Sequence, residues 1–319
     1  MVGCMKISVV IPVYNAEKYV SRAVESALDQ KECGEVILVE DGSPDNALQV
    51  CTELAERYPN VSLYQHENNQ NKGAGPSRNL GVRKARFDYI AFLDADDFFG
   101  PMRFASASKL LLNDNALDGV YEPVGSCFEN EAAKQRFFAT HADEIAMVKK
   151  GVMPEELFES LISGRNGYIH LDGLLIKKKA FFKAGMIPAL KLHQDMVFIF
   201  KLSLVCKLAH GRIEKPVSFR VLHANNRITK PGTNYLQSYH AAYQDLLTWM
   251  KGEGIGGNRR KLVATRYHLL NYRFCWRNKR YLSAFASYLR HKILVKTTMS
   301  GVNHGCWRKL LKIQKERDI

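Results

Sequence analysis

Apolar residues in the first third of the chain come in short continuous runs, each of which ends in turn-forming polar residues. The runs are ISVVIPV from Ile7, EVILVE from Glu35, VSLYQ from Val61 and YIAFLD from Tyr89. Continuous apolar runs of this length predict strands buried on both faces, as in a parallel sheet. Between the runs, apolar residues recur every three or four positions, which predicts amphipathic helices.

Three helices are predicted between these strands. Asn15 is the predicted N-cap of the first, and Ser43 with Pro44 is predicted to open the second. The third covers GPSRNLGVRKA from Gly75. Strand–helix–strand alternation with short links implies right-handed crossovers, so the predicted fold is α/β, with a mostly parallel sheet flanked by helices.

Polar residues gather where three predicted strands end. Asn15 follows the first strand, Asp41 follows the second, and Asp94, Asp96 and Asp97 follow the fourth. Ligands of open parallel sheets bind at the carboxyl ends of the strands. Three crowded carboxylates repel one another unless a cation binds them, so the pattern predicts a crevice that holds a ligand and a divalent cation.

The excess of positive over negative charge is confined to one end of the chain. The 319 residues carry a net charge of +14. From Arg259 onward there are sixteen Lys and Arg but only two acids, Glu316 and Asp318, so this segment holds the whole excess. The chain is therefore expected to have one neutral region and one strongly cationic region.

Cysteine usage and hydropathy bear on the compartment. The seven cysteines are scattered without a C-x-x-C pair, which argues against a disulfide framework or a zinc ribbon and favours a reducing compartment. The apolar run at Ile7 is short and contains Pro12, and no later run reaches the ~18 residues that a membrane span needs. A cytoplasmic protein is expected.

Four segments together resemble a known family. VVIPVYNAEKYVSRAVESAL, VILVEDGSPDN, NKGAGPSRNLGVRKA and YIAFLDADD are similar, in order and spacing, to the nucleotide-sugar-binding half of family 2 glycosyltransferases. The family has the GT-A fold, a Rossmann-like sheet, and includes bacterial enzymes of cell-surface polysaccharide synthesis. The resemblance implies a catalytic domain at 1–235, with a nucleotide-sugar half at 1–100 and an acceptor half at 101–235. A helical, basic C-terminal region is expected at 236–319.

The resemblance assigns several residues to the donor. Asp41 would accept the uracil N3–H, and Pro12 and Tyr14 would line the base pocket, with Tyr14 stacking on the base. Arg78 would face the base and the diphosphate, where a guanidinium matches phosphate oxygens. Plainer interpretations stay open: an Asx turn at Asp41, ordinary packing of Tyr14 and a surface arginine at Arg78.

The resemblance also assigns a metal site. Asp96 would ligate Mn²⁺ or Mg²⁺, Asp94 would hold the ribose or the metal's water shell, and Asp97 could orient either one. His223, in PVSFRVLHANNRIT, would complete the metal site, and Arg227 lies within reach of a phosphate by spacing. The alternatives are a surface turn capped by acids and a structural histidine.

An acceptor hydroxyl needs a general base. The family places a Glu–Asp pair at the start of a helix, and LKLHQDMVFIFKLSLVCKL has Gln194 and Asp195 there. Asp195 is the predicted base, although a carboxylate that only stabilises the helix N-terminus is the alternative. His170 and Asp172 are weaker candidates for the acceptor site.

The C-terminal region raises two further points. Gly252 to Gly257 matches G-x-G-x-x-G, but a helical pattern precedes it, so it is predicted to be a linker rather than a dinucleotide site. Beyond it, apolar residues at helical spacing are flanked by cations: Leu270, Phe274, Tyr281, Phe285, Tyr288 and Leu289. Such a basic helix either lies on an anionic membrane surface or packs on the catalytic domain.

The expected function is metal-dependent, inverting transfer of a hexosyl or N-acetylhexosaminyl group from a UDP-sugar. The acceptor would be a hydroxyl of a saccharide or lipid-linked saccharide in capsule, lipopolysaccharide or exopolysaccharide synthesis. The enzyme is expected to be peripheral on the inner face of the cell membrane, without a nucleic-acid partner. One alternative is a nucleotidyltransferase, but PVYNAEKY lacks the Gly-rich basic loop that it needs. The other is a nucleic-acid-binding protein acting through the basic tail.

Overall fold

The computed structural model describes residues 5–139, 143–223, 226 and 235–299. The chain divides into two compact units. The first comprises Met1–Leu161 and Asn166–Thr233, and the second comprises Ile162–Arg165 and Asn234–Ile319. Strands and helices alternate in the first unit, whereas the second is helical among its described residues.

Ten strands are described, all in the first unit. They are β1 Ile7–Val13, β2 Cys33–Glu40, β3 Val61–Gln65, β4 Tyr89–Phe92, β5 Phe98–Phe99, β6 Gly119–Tyr121, β7 Val124–Phe128, β8 Leu174–Lys177, β9 Leu208–His210 and β10 Ser218–Leu222. Seven form a sheet in the order β3-β2-β1-β4-β8-β6-β9, in which β8 alone runs antiparallel to its neighbours. The predicted mostly parallel α/β sheet is confirmed.

Eleven α-helices are described over the two units. They are α1 Val20–Leu28, α2 Ala47–Arg57, α3 Ala74–Lys84, α4 Ala105–Asn113, α5 Glu131–Phe138, α6 Leu157–Ser163, α7 Lys178–Ala184, α8 Gln194–Val205, α9 Tyr235–Gly252, α10 Gly257–Arg277 and α11 Tyr281–Met299. The predicted helix at GPSRNLGVRKA is α3, and the predicted helix before the Gly-rich segment is α9.

Helices cover both faces of the central strand β1, which explains why all seven of its residues are buried. Alternate residues from Ile7 to Val13 join the core formed with α1 and α2. On the other face α3 packs very closely, since a Cβ added at Gly81 would lie 2.3 Å from a methyl carbon of Val10. Glycine is therefore required at this position of α3.

Two predicted helix starts are wrong. α1 begins at Val20 rather than just after Asn15, because Asn15 takes a left-handed conformation with φ 54° and its N–H donates to Ser43 Oγ. α2 begins at Ala47, since the N–H of Ser43 donates to the carboxylate of Glu40 instead of opening a helix. These polar residues tie strand ends together, which a local capping rule does not anticipate.

A second, three-stranded sheet is formed by β5, β10 and β7. β10 pairs antiparallel with β5 and parallel with β7. Because β5 follows Asp94–Asp97 directly and β10 ends just before His223, this sheet brings two distant parts of the chain to the acidic cluster.

In the second unit, α10 and α11 form a helical hairpin that turns at Asn278–Arg280, where Lys279 has φ 57°. A partly buried polar network crosses the unit: His240 Nε2 lies 2.8 Å from Asn271 Oδ1, and Asn271 donates to Ser287 Oγ. The apolar residues predicted at helical spacing from Leu270 to Leu289 therefore lie on two helices, α10 and α11. No described helix is both long and apolar enough to cross a membrane.

Candidate functional site

The site lies where β1, β2 and β4 end at one edge of the large sheet. β1 pairs in parallel with β2 on one side and with β4 on the other. The N–H of Asp41 donates to the carbonyl of Val13 over 2.9 Å, and the N–H of Leu93 donates to the carbonyl of Val10 over 3.1 Å. Asp41 and Asp94 therefore leave the sheet at the same edge, on either side of β1, as predicted from their position after apolar strands.

Asp41 is buried and organises a loop. Its Oδ1 accepts the N–H of Lys72 and its Oδ2 accepts the N–H of Gly73, both over 2.8 Å. The carboxylate therefore holds the start of α3 rather than forming an Asx turn to the residues that follow it. Each carboxylate oxygen has two lone pairs, so acceptor capacity remains for one further donor.

His66 closes a ring of hydrogen bonds around Asp41. Ser77 Oγ donates to the carbonyl of Gly73 over 2.9 Å, and His66 Nε2 lies 3.0 Å from Ser77 Oγ. Since the only hydroxyl proton of Ser77 is used, we assign the proton of this contact to His66 Nε2. The same nitrogen is 3.5 Å from Asp41 Oδ1, and burial lowers the pKa of His66, which favours the neutral ring.

Arg78, on α3, faces the end of β4. Its Nη2 donates to Asp94 Oδ1, and the side chain is buried. Its pKa is raised although burial acts to lower it, because the carboxylates of Asp94, Asp195 and Asp172 lie close by. Its Nε and Nη1 are buried and have no hydrogen-bond partner among the described residues. An anion with several oxygens is the kind of ligand that satisfies such a guanidinium.

Asp96 meets His223 across the crevice. His223 Nε2 lies 3.2 Å from Asp96 Oδ2, and Asn226 Nδ2 donates to the same oxygen over 3.2 Å. Tyr19 stacks on the His223 ring with 4.7 Å between centroids and is fixed in turn by a hydrogen bond to Glu129. The Asp96 side chain is one-third exposed, so its carboxylate remains open to the crevice.

Asp97 points away from the crevice and fastens the two sheets. Its Oδ1 accepts the N–H of Val221 on β10 over 2.8 Å. Burial raises its pKa well above the usual range, and the nearby carboxylates of Asp172, Asp96 and Asp94 add to this effect. Asp97 is thus placed to keep a proton and to hydrogen-bond with Asp172.

Asp172 lies beneath the cluster and not in an open acceptor pocket, because it is fully buried. Its Oδ1 accepts the N–H of Asp94 over 3.3 Å. His170 Nδ1 accepts the N–H of Asp172 over 3.3 Å and is half-buried beside the acids. One ligand atom each from Asp94, Asp97 and His170 lie within 4.8 Å of one another, so the structure also offers a second candidate group of metal ligands.

α8 begins with Gln194 and Asp195, at the position predicted for the general base. His193, just before it, takes a left-handed conformation with φ 63°, which is strained for a residue other than glycine. Asp195 Oδ1 accepts the N–H of Met196 over 2.8 Å. Because its charge acts on Arg78, Asp195 belongs to the same crevice as the acidic cluster.

The remaining predicted site residues are placed as follows. Tyr14 is 42% exposed directly after β1, where its ring is accessible to a base. Pro12 is buried within β1, where it pairs with Val39. Arg227 lies outside the described residues.

Sequence reasoning missed four residues that shape this site: Tyr19, His66, Ser77 and Asn226. Tyr19 contacts His223 and His66 contacts Asp41, while Ser77 bonds to His66, and all of these contacts join distant parts of the chain, so no local pattern signalled them. Asn226 alone gave a usable signal, since it follows His223 by three residues in HANN.

Comparison with known proteins relates part of the chain to a family. The family model described as Glycosyl transferase family 2 matches residues 8–161, which include Asp41, Arg78 and Asp94. Over these residues, just under half of the chain, the protein matches glycosyltransferase family 2. The resemblance read from the four sequence segments is confirmed.

Two relatives illustrate the breadth of the family around this glycosyltransferase. An uncharacterized glycosyltransferase of Haemophilus influenzae is 27% identical over 233 residues, which cover 72% of this chain and 73% of the relative. The minor teichoic acid biosynthesis protein GgaB of Bacillus subtilis is 37% identical over 121 residues, which cover 37% of this chain. The match spans only 13% of GgaB.

Solved structures share the fold of this glycosyltransferase. S. aureus TarS 1–349 in complex with UDP-GlcNAc superposes with a TM-score of 0.63 at 18% identity, covering 85% of this chain and 73% of that one. GalNAc-T7 with UDP, GalNAc and Mn²⁺ gives 0.53 at 15% identity, covering 76% and 48%. The Pyrobaculum calidifontis mannosyltransferase with GDP-Man and Mn²⁺ gives 0.51 at 16% identity, covering 96% and 83%.

Proposed function

We propose that the enzyme transfers a hexosyl or N-acetylhexosaminyl group from a UDP-sugar to a hydroxyl of a saccharide or lipid-linked saccharide. The transfer inverts the anomeric carbon and depends on a divalent cation. The observation that carries the proposal is Arg78, whose guanidinium donates to Asp94 in the acidic cluster and has two nitrogens without a hydrogen-bond partner among the described residues. A diphosphate supplies the oxygens that these nitrogens lack.

Asp41 supports uracil as the base. The carboxylate keeps acceptor capacity beside Tyr14, and uracil N3–H is a donor, whereas the N3 of cytosine is an acceptor. The carboxylate is held in place by Lys72 and Gly73, so it is preorganised for one donor. Two of the three structures compared above carry UDP or UDP-GlcNAc.

The residues present fit a divalent cation. Asp96 is partly exposed and His223 lies 3.2 Å from it, and a carboxylate with an imidazole suits Mn²⁺. Asp96 and His223 would hold the ion, which would supply positive charge to offset the charge of the departing UDP. The group of Asp94, Asp97 and His170 suits a cation less well, because Asp97 is buried and already engaged with Val221 and Asp172. Two neighbouring folds contain Mn²⁺.

Asp195 is the proposed general base. It accepts the proton of the acceptor hydroxyl as the oxygen attacks C1 of the donor sugar. The bond between C1 and the diphosphate oxygen breaks in the same displacement, and UDP leaves with the electron pair. Arg78 stabilises the charge that develops on the diphosphate. Gln194 stands where the family has a glutamate, so Asp195 acts as the single carboxylate of this pair.

The acceptor is proposed from the relatives. GgaB is named for minor teichoic acid biosynthesis, and another relative is a poly(ribitol-phosphate) beta-glucosyltransferase. Both names describe work on cell-surface polymers, which supports a cell-surface glycan acceptor in this case, such as capsule, lipopolysaccharide or exopolysaccharide.

The proposal is tested by measuring UDP release from a panel of UDP-sugars, with cell-envelope lipid extract as acceptor. Activity is expected with one or a few UDP-sugars, to fall when the metal is chelated and to return with Mn²⁺. Asp96→Asn serves as the inactive control. Equal turnover of GDP-sugars, or full activity in chelator, would overturn the donor or the metal assignment respectively.

A further inference from the structure

Helix α11 turns its large apolar side chains outward. Leu282 is 89% exposed, Phe285 61% and Ile293 62%, and two more apolar residues, Tyr281 and Leu289, are also exposed. Their spacing of one, three and four residues places them along one face of the helix. We call this face, with Tyr288 and with Trp276 at the end of α10, the outer ridge.

The inward face of α11 is small and polar instead. Its described buried residues are Ala284, Ser287 and His291, and the last two contact α10. Ser287 accepts a hydrogen bond from Asn271, and His291 Nδ1 lies 3.1 Å from the carbonyl of Thr265. A typical surface helix buries its apolar face against the rest of the protein. In α11 the large apolar residues are exposed, and the small and polar residues are buried. An apolar ridge of this kind indicates a surface that binds a partner.

The charge around the ridge is of one sign. Residues 254–299 contain no Asp or Glu. Lys292 and Lys296 fall on the ridge side by helical spacing, and the ammonium of Lys292 lies 5.4 Å from the ring centroid of Tyr288. Arg280 and Arg290 are exposed nearby. The partner must therefore accept apolar side chains and supply negative charge.

We propose that the outer ridge lies in the interface of an anionic lipid membrane. Leucine, phenylalanine and isoleucine enter the acyl boundary, while tyrosine, tryptophan and lysine suit the headgroup level. A second copy of the chain would set one acid-free cationic surface against another, which disfavours self-association through this face. A nucleic acid would match the cations but not a ridge led by a nearly fully exposed leucine.

This inference rests on α10 and α11 and does not depend on the proposed donor. It identifies the surface behind the expected peripheral location, and a lipid-linked acceptor would be within the enzyme's reach at such a membrane. Of the two interpretations left open by the sequence, this proposal takes the membrane surface.

The test is co-sedimentation of the full chain with vesicles of phosphatidylglycerol and phosphatidylethanolamine, compared with phosphatidylcholine alone. Wild type is expected to bind the anionic vesicles, and high salt is expected to release most of it. The double variant Leu282→Glu with Phe285→Glu is expected to bind roughly tenfold more weakly or worse, because two apolar side chains no longer enter the interface. The matched control, Leu112→Glu with Phe182→Glu, changes exposed residues of the first unit and should bind like wild type.

Each alternative partner of the ridge predicts a different result in this experiment. Equal vesicle binding by the ridge variant and wild type would overturn the proposal, and so would a dimer that the ridge variant dissociates without any lipid binding by wild type. If residues 300–319 cover the ridge, wild type will not bind vesicles, while a chain ending at Met299 will. UDP binding by calorimetry and the far-UV spectrum show that the ridge variant is folded. The proposal can therefore fail while the proposed glycosyl transfer stands.

Discussion

His223 Nε2 lies 3.2 Å from Asp96 Oδ2, although 127 positions separate these two residues in the chain. The contact depends on β10, which ends at Leu222 and is fastened to the acidic cluster by Asp97. Tyr19 covers the other side of the imidazole. The histidine is thus held rigidly against the exposed carboxylate, which is the arrangement expected of two ligands of one cation.

The first prediction concerns this pair. His223→Gln removes an imidazole ligand and is expected to weaken Mn²⁺ binding in the presence of UDP by about 10- to 100-fold, in line with the loss of a group that holds a metal. Isothermal titration of Mn²⁺ into the protein with saturating UDP measures the effect. His170→Gln is the matched control, because it removes an imidazole from the other candidate group. A larger loss in His170→Gln than in His223→Gln would assign the cation to Asp94, Asp97 and His170.

Sequence patterns predicted the half of the site that depends on strand ends. Parallel strands that end at one edge place the residues that follow them at that edge, whatever the conformation of the loops. The sequence alone could therefore place Asp41 and Asp94 at the same edge of the sheet. His66 and Tyr19 could not be found in this way, because their contacts depend on how a loop folds back and how a helix is oriented. The misplaced starts of α1 and α2 have the same cause, since Asn15 and Ser43 bond across strand ends and not along their own helices.

The second prediction concerns base selection. Wild type is expected to bind UDP more tightly than CDP, because the Asp41 carboxylate can accept uracil N3–H but repels the N3 lone pair of cytosine. A hydrogen bond to a charged group contributes about 1.5–3 kcal/mol, so the preference for UDP over CDP should be roughly 10- to 100-fold. Asp41→Asn should reduce that preference.

Two variants of His66 provide the control for this prediction. His66→Ala should loosen the loop that Asp41 holds and weaken UDP and CDP binding alike, with the preference retained, whereas His66→Gln should restore part of the affinity. Calorimetry with the two nucleotides separates the cases. A preference that is unchanged in Asp41→Asn would show that another residue reads the base.

The third prediction concerns the general base. Asp195→Asn should retain UDP-sugar affinity and lower kcat by roughly 10²–10⁴, the usual range for loss of a general base. Glu131→Gln is the matched control, because it also removes a carboxylate from the first turn of a helix, and it should leave kcat near wild type. Loss of donor affinity in parallel with activity in Asp195→Asn would instead make Asp195 a donor contact or a helix-stabilising charge.

The fourth prediction concerns stability beneath the site. Arg103 is fully buried and donates to Glu122 over 3.1 Å and to the carbonyl of Asp172 over 3.0 Å. Glu122→Leu leaves a buried charge without its partner and should lower the free energy of unfolding by about 3–5 kcal/mol. The double variant with Arg103→Met removes both charges and should recover most of the loss.

Urea denaturation followed by circular dichroism measures both of these variants. The exposed pair of Lys207 and Asp114 provides the comparison, and Asp114→Ala is expected to change stability little. A double variant no more stable than Glu122→Leu would show that Arg103 contributes through its shape and its bond to Asp172 rather than through its charge.

The last prediction concerns pH and the helical unit. Burial lowers the pKa of His240, His268 and His291. Around His291 the cations of Lys292, Arg266 and Arg273 lower the pKa further, while the carbonyl of Thr265 opposes them. In each case the unfolded chain binds a proton more readily than the folded one. The contribution of these neutral histidines to the free energy of unfolding is therefore fully present above the unfolded pKa of about 6.5. It is lost as the pH falls below that value.

Amide hydrogen exchange resolves this loss by helix. After correction for intrinsic exchange rates, the opening free energies of α9, α10 and α11 are expected to fall between pH 7.5 and pH 5.5. His291→Gln should flatten this pH dependence, because glutamine can still donate to Thr265 but takes up no proton in this range. Amides of β1 provide the internal control, since no histidine lies in that strand. Protection in α10 and α11 that is equal or greater at the lower pH would contradict the prediction, because the folded histidines would then bind protons at least as readily as the unfolded ones.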